Sequence, residues 1–403
     1  MADASVVQKA SGAGARRVET FDRKEFLRRL EEVKTIAGEC ASESEDMRRL
    51  SPKIFKAYMD RKLNRIAQPP MYGGAGLDMD EVYDIAFEVA RADASAAWNL
   101  AFYSLHAFQI GMLSKEAQDE IFSETYDPIM VTASAKVKAD IEDRGGTVYV
   151  NGEWDFCSGA DEGQWVQVSW INGTDARQLM IPFANVEVID NWHVTGMRAT
   201  GSKRVRIKDA VVPPHMQLTG AQMASGDTTG RKLHPSDYYK LPTFSWMGYV
   251  IAINVVGAAQ GMLDLFTEAS RTRFEHTTGS RFIEREANQV RLAEATAEIN
   301  AARKIFQADI ARFHELAKAG DQPSMQERAM FRLNQAYISR LAVQATNRMF
   351  EVGGAGAFFR TNPAQRFFSD AHFMAHHIVT TFDPVAEQYA KVVWELPPKS
   401  FNL

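Results

Sequence analysis

The hydrophobic period of this chain changes twice along its length, and few architectures accommodate that. From about Asp22 to Thr125 apolar residues recur every three or four positions, as in FLRRLEEVKTIAGECA and DEVYDIAFEVARADASAAWNLAFYSLHAFQIGML, the spacing of amphipathic helices. Between about Pro128 and Leu218 the period falls to two. IMVTASAKV, TVYVNGEWDFCSG, WVQVSWI, QLMIPF, VEVIDNW and KRVRIKDAVVP read as β-strands separated by the turns DRGG, INGTDA and PPH. From Ser245 the helical period returns in three long stretches, beginning MGYVIAINVVGAAQGML, IEREANQVRLAEATAEIN and MQERAMFRLNQAYISRL, which predict a bundle. Segregated element types of this kind make an α+β protein. The expected division is a flexible N-terminal tail over 1–20, a helical domain over 21–127, a barrel-like antiparallel β domain over 128–220 and a helical bundle over 221–403. A site belongs where these layers meet.

Charge and cysteine usage exclude several function classes. The net charge of −5 provides no basic surface for nucleic acid, and no Lys/Arg run would dock on an anionic membrane. The two cysteines, Cys40 and Cys157, form neither a disulfide framework nor a Cys-rich zinc site, which suits the cytoplasm. The start of the chain, MADASVVQKASGAGARRVET, lacks the apolar region of a signal peptide, and no run approaches the ~20 apolar residues of a membrane span. YGGAGLD and VGGAGAFF are Gly-rich, yet no GxGxxG follows a strand and opens a helix, so no nicotinamide site is expected. QPPMYGGAGLD reads as a turn able to bring backbone close to a ligand.

Several stretches carry residues suited to chemistry. FSDAHFMAHHIVTTFD places His372, His376 and His377 within a few helical turns. His372 and His376, four apart, share a helical face, but HFMAH lacks the glutamate of two-histidine zinc motifs and no third ligand is evident. No metal is expected, and a polar contact on the helix is the reading for both. In EWDFCSG, Phe156 offers a flat surface and Ser158 a hydroxyl at a strand end; an ordinary half-buried strand and turn has the same pattern. Thr132 and Ser134 of IMVTASAKV fall on one sheet face, for a ligand or for cross-strand pairing. GMRATGS sets Arg198 beside Thr200 and Ser202, a combination that binds anions or makes a surface turn. Trp98, Phe102 and His106 lie on one aromatic helix, with Trp246 further along; core packing explains such residues equally well.

The order of elements, with NGEWDFCSGADEGQW, DNWHVTGMRATGS followed by DAVVPPH, GAAQGMLDLF, and GGAGAFFRTNPAQRFFSDAHFMAHH, resembles the acyl-CoA dehydrogenase fold over nearly the whole chain. Within that fold it is most similar to the flavin-dependent monooxygenases of two-component systems, the group of 4-hydroxyphenylacetate and 3-hydroxy-9,10-secosteroid hydroxylases. The resemblance implies that Phe156 and Ser158 face the flavin, Ser158 near its N5 edge, and that Thr132 and Ser134 border the isoalloxazine ring. It makes Arg198, Thr200 and Ser202 ligand-loop residues. In ASRTRFEH it implies that Arg271 or Arg273 reaches the flavin of a neighbouring subunit. Trp98, Phe102, His106 and Trp246 become substrate contacts, and tetramers, usual in the family, make a homotetramer the expected assembly.

Acyl-CoA dehydrogenases use a carboxylate that in many members follows a stretch like RDAKIMTIYEG. Laid on SDAHFMAHHIV, the glutamate position falls on Ile378, so that base is missing. His377, just before it, takes the place of a histidine that contacts substrate in the hydroxylase branch. An unperturbed imidazole, with a pKa of about 6.5, would accept a phenolic or indolic proton near neutrality. Ser158, His377 and His106 are therefore the catalytic candidates. The expected activity is hydroxylation of a small aromatic substrate through a C4a-hydroperoxyflavin, with O2 and reduced FMN or FAD delivered by a partner flavin reductase. The alternatives are an acyl-CoA dehydrogenase-like flavin dehydrogenase or oxidase, and a catalytically silent helical scaffold.

Overall fold

The structure, a computed structural model, describes residues 20–275 and 279–398; the expected flexible tail lies outside them except for Thr20. Five helices come first: α1 (Arg23–Met47), α2 (Pro52–Asp60), α3 (Met79–Ala90), α4 (Ala94–Ile110) and α5 (Lys115–Ile121). Their starts are written in the sequence. Asp22 accepts from the Glu25 amide at 2.8 Å, Asp78 and Glu81 cap each other reciprocally, and Asp93 accepts from the Ala96 amide at 2.7 Å.

Eight strands follow: β1 (Met130–Ala133), β2 (Ala135–Arg144), β3 (Thr147–Cys157), β4 (Trp165–Asn172), β5 (Asp175–Pro182), β6 (Val186–Ile189), β7 (Lys203–Val212) and β8 (Gln217–Thr219). They form two four-stranded sheets, β1-β4-β5-β8 and β2-β3-β7-β6. One pairing departs from the antiparallel expectation: β1 runs parallel to β4. A parallel pair needs a long crossover, supplied here by β2 and β3, which belong to the other sheet. The β3–β7 ladder slips between Trp154 and Cys157. There Phe156 takes φ +63° and turns its ring outward, 55% exposed, while Trp154 is wholly buried. A left-handed conformation is costly for an aromatic residue, and strain of this kind concentrates at ligand sites.

The remaining helices are α6 (Gly220–Ser225), α7 (Thr243–Met247), α8 (Tyr249–Ser270), α9 (Glu286–Ala319), α10 (Met325–Gly353), α11 (Pro363–Ala375) and α12 (Phe382–Val393). Helix α8 is apolar on nearly every face because it runs through the middle of the molecule. Thr243–Ser270 is in fact long and apolar enough to cross a membrane by length and composition, contrary to the expectation that no run approached this; 78% of that stretch's most apolar window is buried within the protein. The glycines of GAAQGM let α8 approach α3: a Cβ at Gly257 would stand 2.4 Å from the Phe87 carbonyl oxygen, and one at Gly261 2.4 Å from that of Arg91. In QPPMYGGAGLD the close backbone approach is to the chain itself, Gly74 pressing on the Gln68 carbonyl.

The histidine cluster is not wholly helical. Helix α11 ends at Ala375, and His377 sits in the following turn, where its carbonyl accepts from the Thr380 and Thr381 amides at 2.8 and 2.9 Å. The run Ile378-Val379-Thr380-Thr381 is β-branched throughout, which explains why the helix stops.

Candidate active site

The end of β3, one face of α4 and the turn after α11 meet at a single wall. Trp98, Phe102 and His106 recur every four residues on α4, with ring centroids 4.9 Å apart for Trp98–Phe102 and 5.5 Å for Phe102–His106. His377 meets Trp98 edge-on at 5.7 Å. Trp98, Phe102, Thr132, Ser158 and His377 are each half-buried, while Thr200, Ser202 and His106 behind them are buried. The first group therefore forms the accessible surface and the second supports it.

The supporting hydroxyls have a fixed polarity. Trp98 Nε1 donates to Ser158 Oγ at 3.0 Å, Ser158 and Ser202 share a proton at 2.7 Å, and Ser202 and Thr200 share one at 2.6 Å. Thr200 Oγ1 donates to the Met197 carbonyl at 2.8 Å. Each hydroxyl has one proton. Thr200 spends its own on Met197, so Ser202 donates to Thr200 and Ser158 donates to Ser202. Ser158 is left with acceptor capacity alone.

The two catalytic histidine candidates have opposite tautomers. His106 donates from Nδ1 to the Met130 carbonyl at 2.8 Å, so its Nε2 accepts from the Thr132 hydroxyl at 2.8 Å. Burial pushes its pKa down to about 4 against the raising effect of the Met130 bond. At His377, Nδ1 accepts from the Val379 amide at 3.2 Å, which places the proton of the neutral ring on Nε2. Burial, and then the Arg332 charge, push His377 down to about 4. His377 is neutral near pH 7, and in this geometry its free nitrogen carries the proton, so it offers a hydrogen-bond donor at the position where a base is expected.

A buried group of charges holds these parts together. Asp370 of α11 accepts from the Met197 amide at 2.5 Å and so anchors the loop bearing Thr200 and Ser202. Asp93 caps α4, and Arg366 lies 4.0 Å from Asp93 and 3.8 Å from Glu45 of α1. Burial, with Asp93 beside it, raises Asp370 to about 8; burial raises Asp93 to about 6 and raises Glu45. An aromatic ladder runs alongside: Trp192 meets Phe156 at 5.9 Å and Phe373 at 5.7 Å.

The other candidates make the following contacts. Ser134 is exposed and accepts from Ser169 at 3.0 Å. Half-buried Arg198 contributes its charge to Glu45. Arg271 is exposed and pairs with Glu268, and Arg273 donates to the Val352 carbonyl at 3.1 Å while covering the Phe282 ring. Trp246 is wholly buried between Phe108 and Tyr238, which places its ring in the core rather than on an open substrate wall. His372 donates to Asn347 at 2.7 Å, and His376 donates to the His372 carbonyl at 2.7 Å. Sequence reasoning missed Asp370 and Arg332. Arg332 had a signal, because the period of α10 puts it on the inward stripe with Gln335 and Ser339.

The family described as acyl-CoA dehydrogenase, C-terminal domain, matches residues 249–382. The chain is 26% identical over 383 residues to the oxygenase component of p-hydroxyphenylacetate 3-hydroxylase from Acinetobacter baumannii, covering 93% of this chain and 90% of that protein. It is 27% identical over 386 residues to the oxygenase component of the FADH(2)-dependent resorcinol hydroxylase of Rhizobium sp., covering 92% and 94%. The crystal structure of 3-HSA hydroxylase from Rhodococcus sp. RHA1 superposes with a TM-score of 0.89 at 26% identity, covering 95% of this chain and all of that one. The chain thus has the acyl-CoA dehydrogenase-like fold, and its relatives are named as flavin-dependent oxygenase components, as the sequence resemblance implied.

Proposed function

We infer that this chain is the oxygenase component of a two-component flavin-dependent monooxygenase, an oxidoreductase that hydroxylates a small aromatic molecule using O2 and reduced flavin from a separate reductase. Near full-length likeness to oxygenase components is the observation that carries the reading. The residues present fit an isoalloxazine. Phe156 is an exposed ring on strained backbone, and Ser158 beside it has only acceptor capacity left. The N5 position of reduced flavin carries a hydrogen, whereas oxidised flavin has a lone pair there, so this acceptor favours the reduced form.

Phe156, Ser158 and Thr132 would hold the ring, with Thr200 and Ser202 setting the direction of the Ser158 hydrogen bond. When bound, reduced flavin supplies the two electrons by which one atom of O2 becomes water while the other enters the substrate ring. The aromatic face of Trp98 and Phe102 orients that ring and excludes water. His377 donates from Nε2 toward an oxygen of the substrate or of the reacting dioxygen, and His106 holds Thr132 in place.

The finer points of the reading are these. The chain divides at 21–127, 128–220 and 221–403, works in the cytoplasm and assembles as a homotetramer. Phe358, Phe359 and Trp394, 69%, 68% and 71% exposed, offer apolar surface to partner copies. Arg271 or Arg273 would then reach the polar end of a neighbour's flavin. The dehydrogenase alternative is disfavoured because Ile378, at the expected base position, is an exposed aliphatic.

The test combines the purified chain, a flavin reductase, NADH and FMN or FAD with a panel of phenols and indoles under 18O2. One 18O atom per product molecule is expected. A chain that neither binds reduced flavin nor yields oxygen-labelled product, or whose oxidised flavin is bleached by an acyl-CoA without any reductase, overturns the reading.

A further inference from the structure

Arg332 is a cation on the inward stripe of α10. Gln335, Ser339, Ala342 and Thr346 continue that stripe at helical spacing and are fully buried. The side chain of Arg332 makes one hydrogen bond, from Nη1 to Gln335 Oε1, and no carboxylate of the described residues forms an ion pair with it. Exposed Arg303 and Arg340 also have no carboxylate partner among the described residues and lie over the Phe87 and Phe382 rings, but other arginines of the bundle are paired. Arg312 pairs with Glu315 and Glu327, and Arg348 with Glu294 and Glu298. A half-buried guanidinium without counter-charge is costly, and burial pushes its pKa down to about 10.

The surroundings of Arg332 lead directly to the site. Gln335 donates to the Ser245 carbonyl at 2.8 Å, and its Oε1 and Val379 Cγ1 both crowd Gly248, where a Cβ would stand 2.3 and 2.8 Å from them. Val379 in turn gives its amide to His377 Nδ1. Arg332, Gln335, Val379 and His377 thus form one continuous patch, and the Arg332 charge is felt at the His377 ring. Neither group supplies a negative charge. The patch holds a guanidinium with no carboxylate partner among the described residues and, at His377, a neutral donor that meets Trp98.

We propose that Arg332 anchors an anionic group carried by the aromatic substrate, so that this chain acts on aromatic carboxylic acids in preference to neutral phenols. The anion lies between the guanidinium and the His377 edge, with the ring against Trp98 and Phe102. Two donors in a planar fork match a carboxylate, which accepts from both. The assignment of substrate class rests on the oxygenase reading; the anion site itself does not.

The test measures calorimetric binding of three acid and amide pairs to the full-length protein and to Arg332→Gln and Arg332→Lys. The pairs are benzoate and benzamide, 4-hydroxyphenylacetate and 4-hydroxyphenylacetamide, and indole-3-acetate and indole-3-acetamide. At least one acid is expected to bind about tenfold more tightly than its amide. The ratio should fall to about one in Arg332→Gln and persist in Arg332→Lys. Ligand-free Arg332→Gln should melt no lower than the parent, since it removes a half-buried charge that has no carboxylate partner among the described residues. The proposal is overturned if every acid, bound or not, shows no advantage over its amide, or if Arg332→Gln keeps the preference. A melting point several degrees lower for Arg332→Gln also overturns it, because the guanidinium would then have a structural partner. Parallel anaerobic titration with reduced FMN and FAD separates the two readings: acid preference without flavin binding leaves the anion site standing and removes the oxygenase.

Discussion

Trp98 Nε1 donates to Ser158 Oγ across 3.0 Å, joining the aromatic face of α4 to the end of β3. This contact fixes the chemistry of the wall on both sides of it. It occupies one lone pair of Ser158, the Ser202–Thr200 relay occupies the proton, and what remains is a single acceptor facing the open side.

Breaking the relay at its far end should release that polarity. In Thr200→Val the Ser202 proton loses its acceptor and can turn to Ser158, freeing the Ser158 proton in turn. The preference for reduced over oxidised flavin, measured as a ratio of dissociation constants under anaerobic conditions, is expected to fall about fivefold, the equivalent of one neutral hydrogen bond of ~1 kcal/mol. An unchanged ratio would show that the relay does not set the direction of the Ser158 bond.

His377 is expected to act through its Nε2 proton. Glutamine preserves a donor near that position and alanine does not, so His377→Gln should retain at least about fivefold more hydroxylation than His377→Ala. With its pKa depressed to about 4, the ring stays neutral across the working range. Plots of kcat/KM between pH 6 and 9 should therefore contain no limb that His377→Gln removes. A limb near the ordinary histidine pKa that vanishes in this variant would restore the base.

Asp370 makes stability depend on pH in a stated direction. Its carboxyl is raised to about 8 in the folded protein, against an ordinary value of about 4. The folded state thus holds a proton that the unfolded state releases between those values, and stability falls as pH rises through that window. Asp370→Asn keeps an acceptor for the Met197 amide and cannot ionise. Its melting temperature should decline less between pH 6 and 8 than that of the parent; parallel declines would contradict the assignment.

Close packing of α8 on α3 gives a control unrelated to the site. Gly257→Ala places a methyl 2.4 Å from a backbone oxygen, whereas a Cβ at Gly356 meets nothing within 4 Å. The first substitution should cost about 1–3 kcal/mol in denaturant unfolding. The second should cost a few tenths at most.

The architecture was legible because its evidence is periodic. A change from period 3.6 to 2 and back needs no knowledge of contacts, and caps such as Asp93 and the Asp78–Glu81 pair mark helix starts locally. That Ser158 falls at a strand end was legible from the alternating run before it. The direction of its hydrogen bonds was not, because that depends on Thr200 and Met197, some forty residues away. The His377 tautomer was hidden for a similar reason: it is set by a turn amide that exists only because α11 stops at Ala375. Trp246 looked like a pocket residue because burial and pocket lining call for the same side chains. The missing counter-charge of Arg332 appears only once every neighbour has a position.

The most direct measurement is a crystal structure of the full-length protein grown anaerobically with reduced FMN or FAD. The account predicts the flavin N5 within hydrogen-bonding distance of Ser158 Oγ, with Phe156 against the ring and the Trp98 and His377 edges on the substrate side. An isoalloxazine bound elsewhere, or one whose N5 faces away from Ser158, would contradict it.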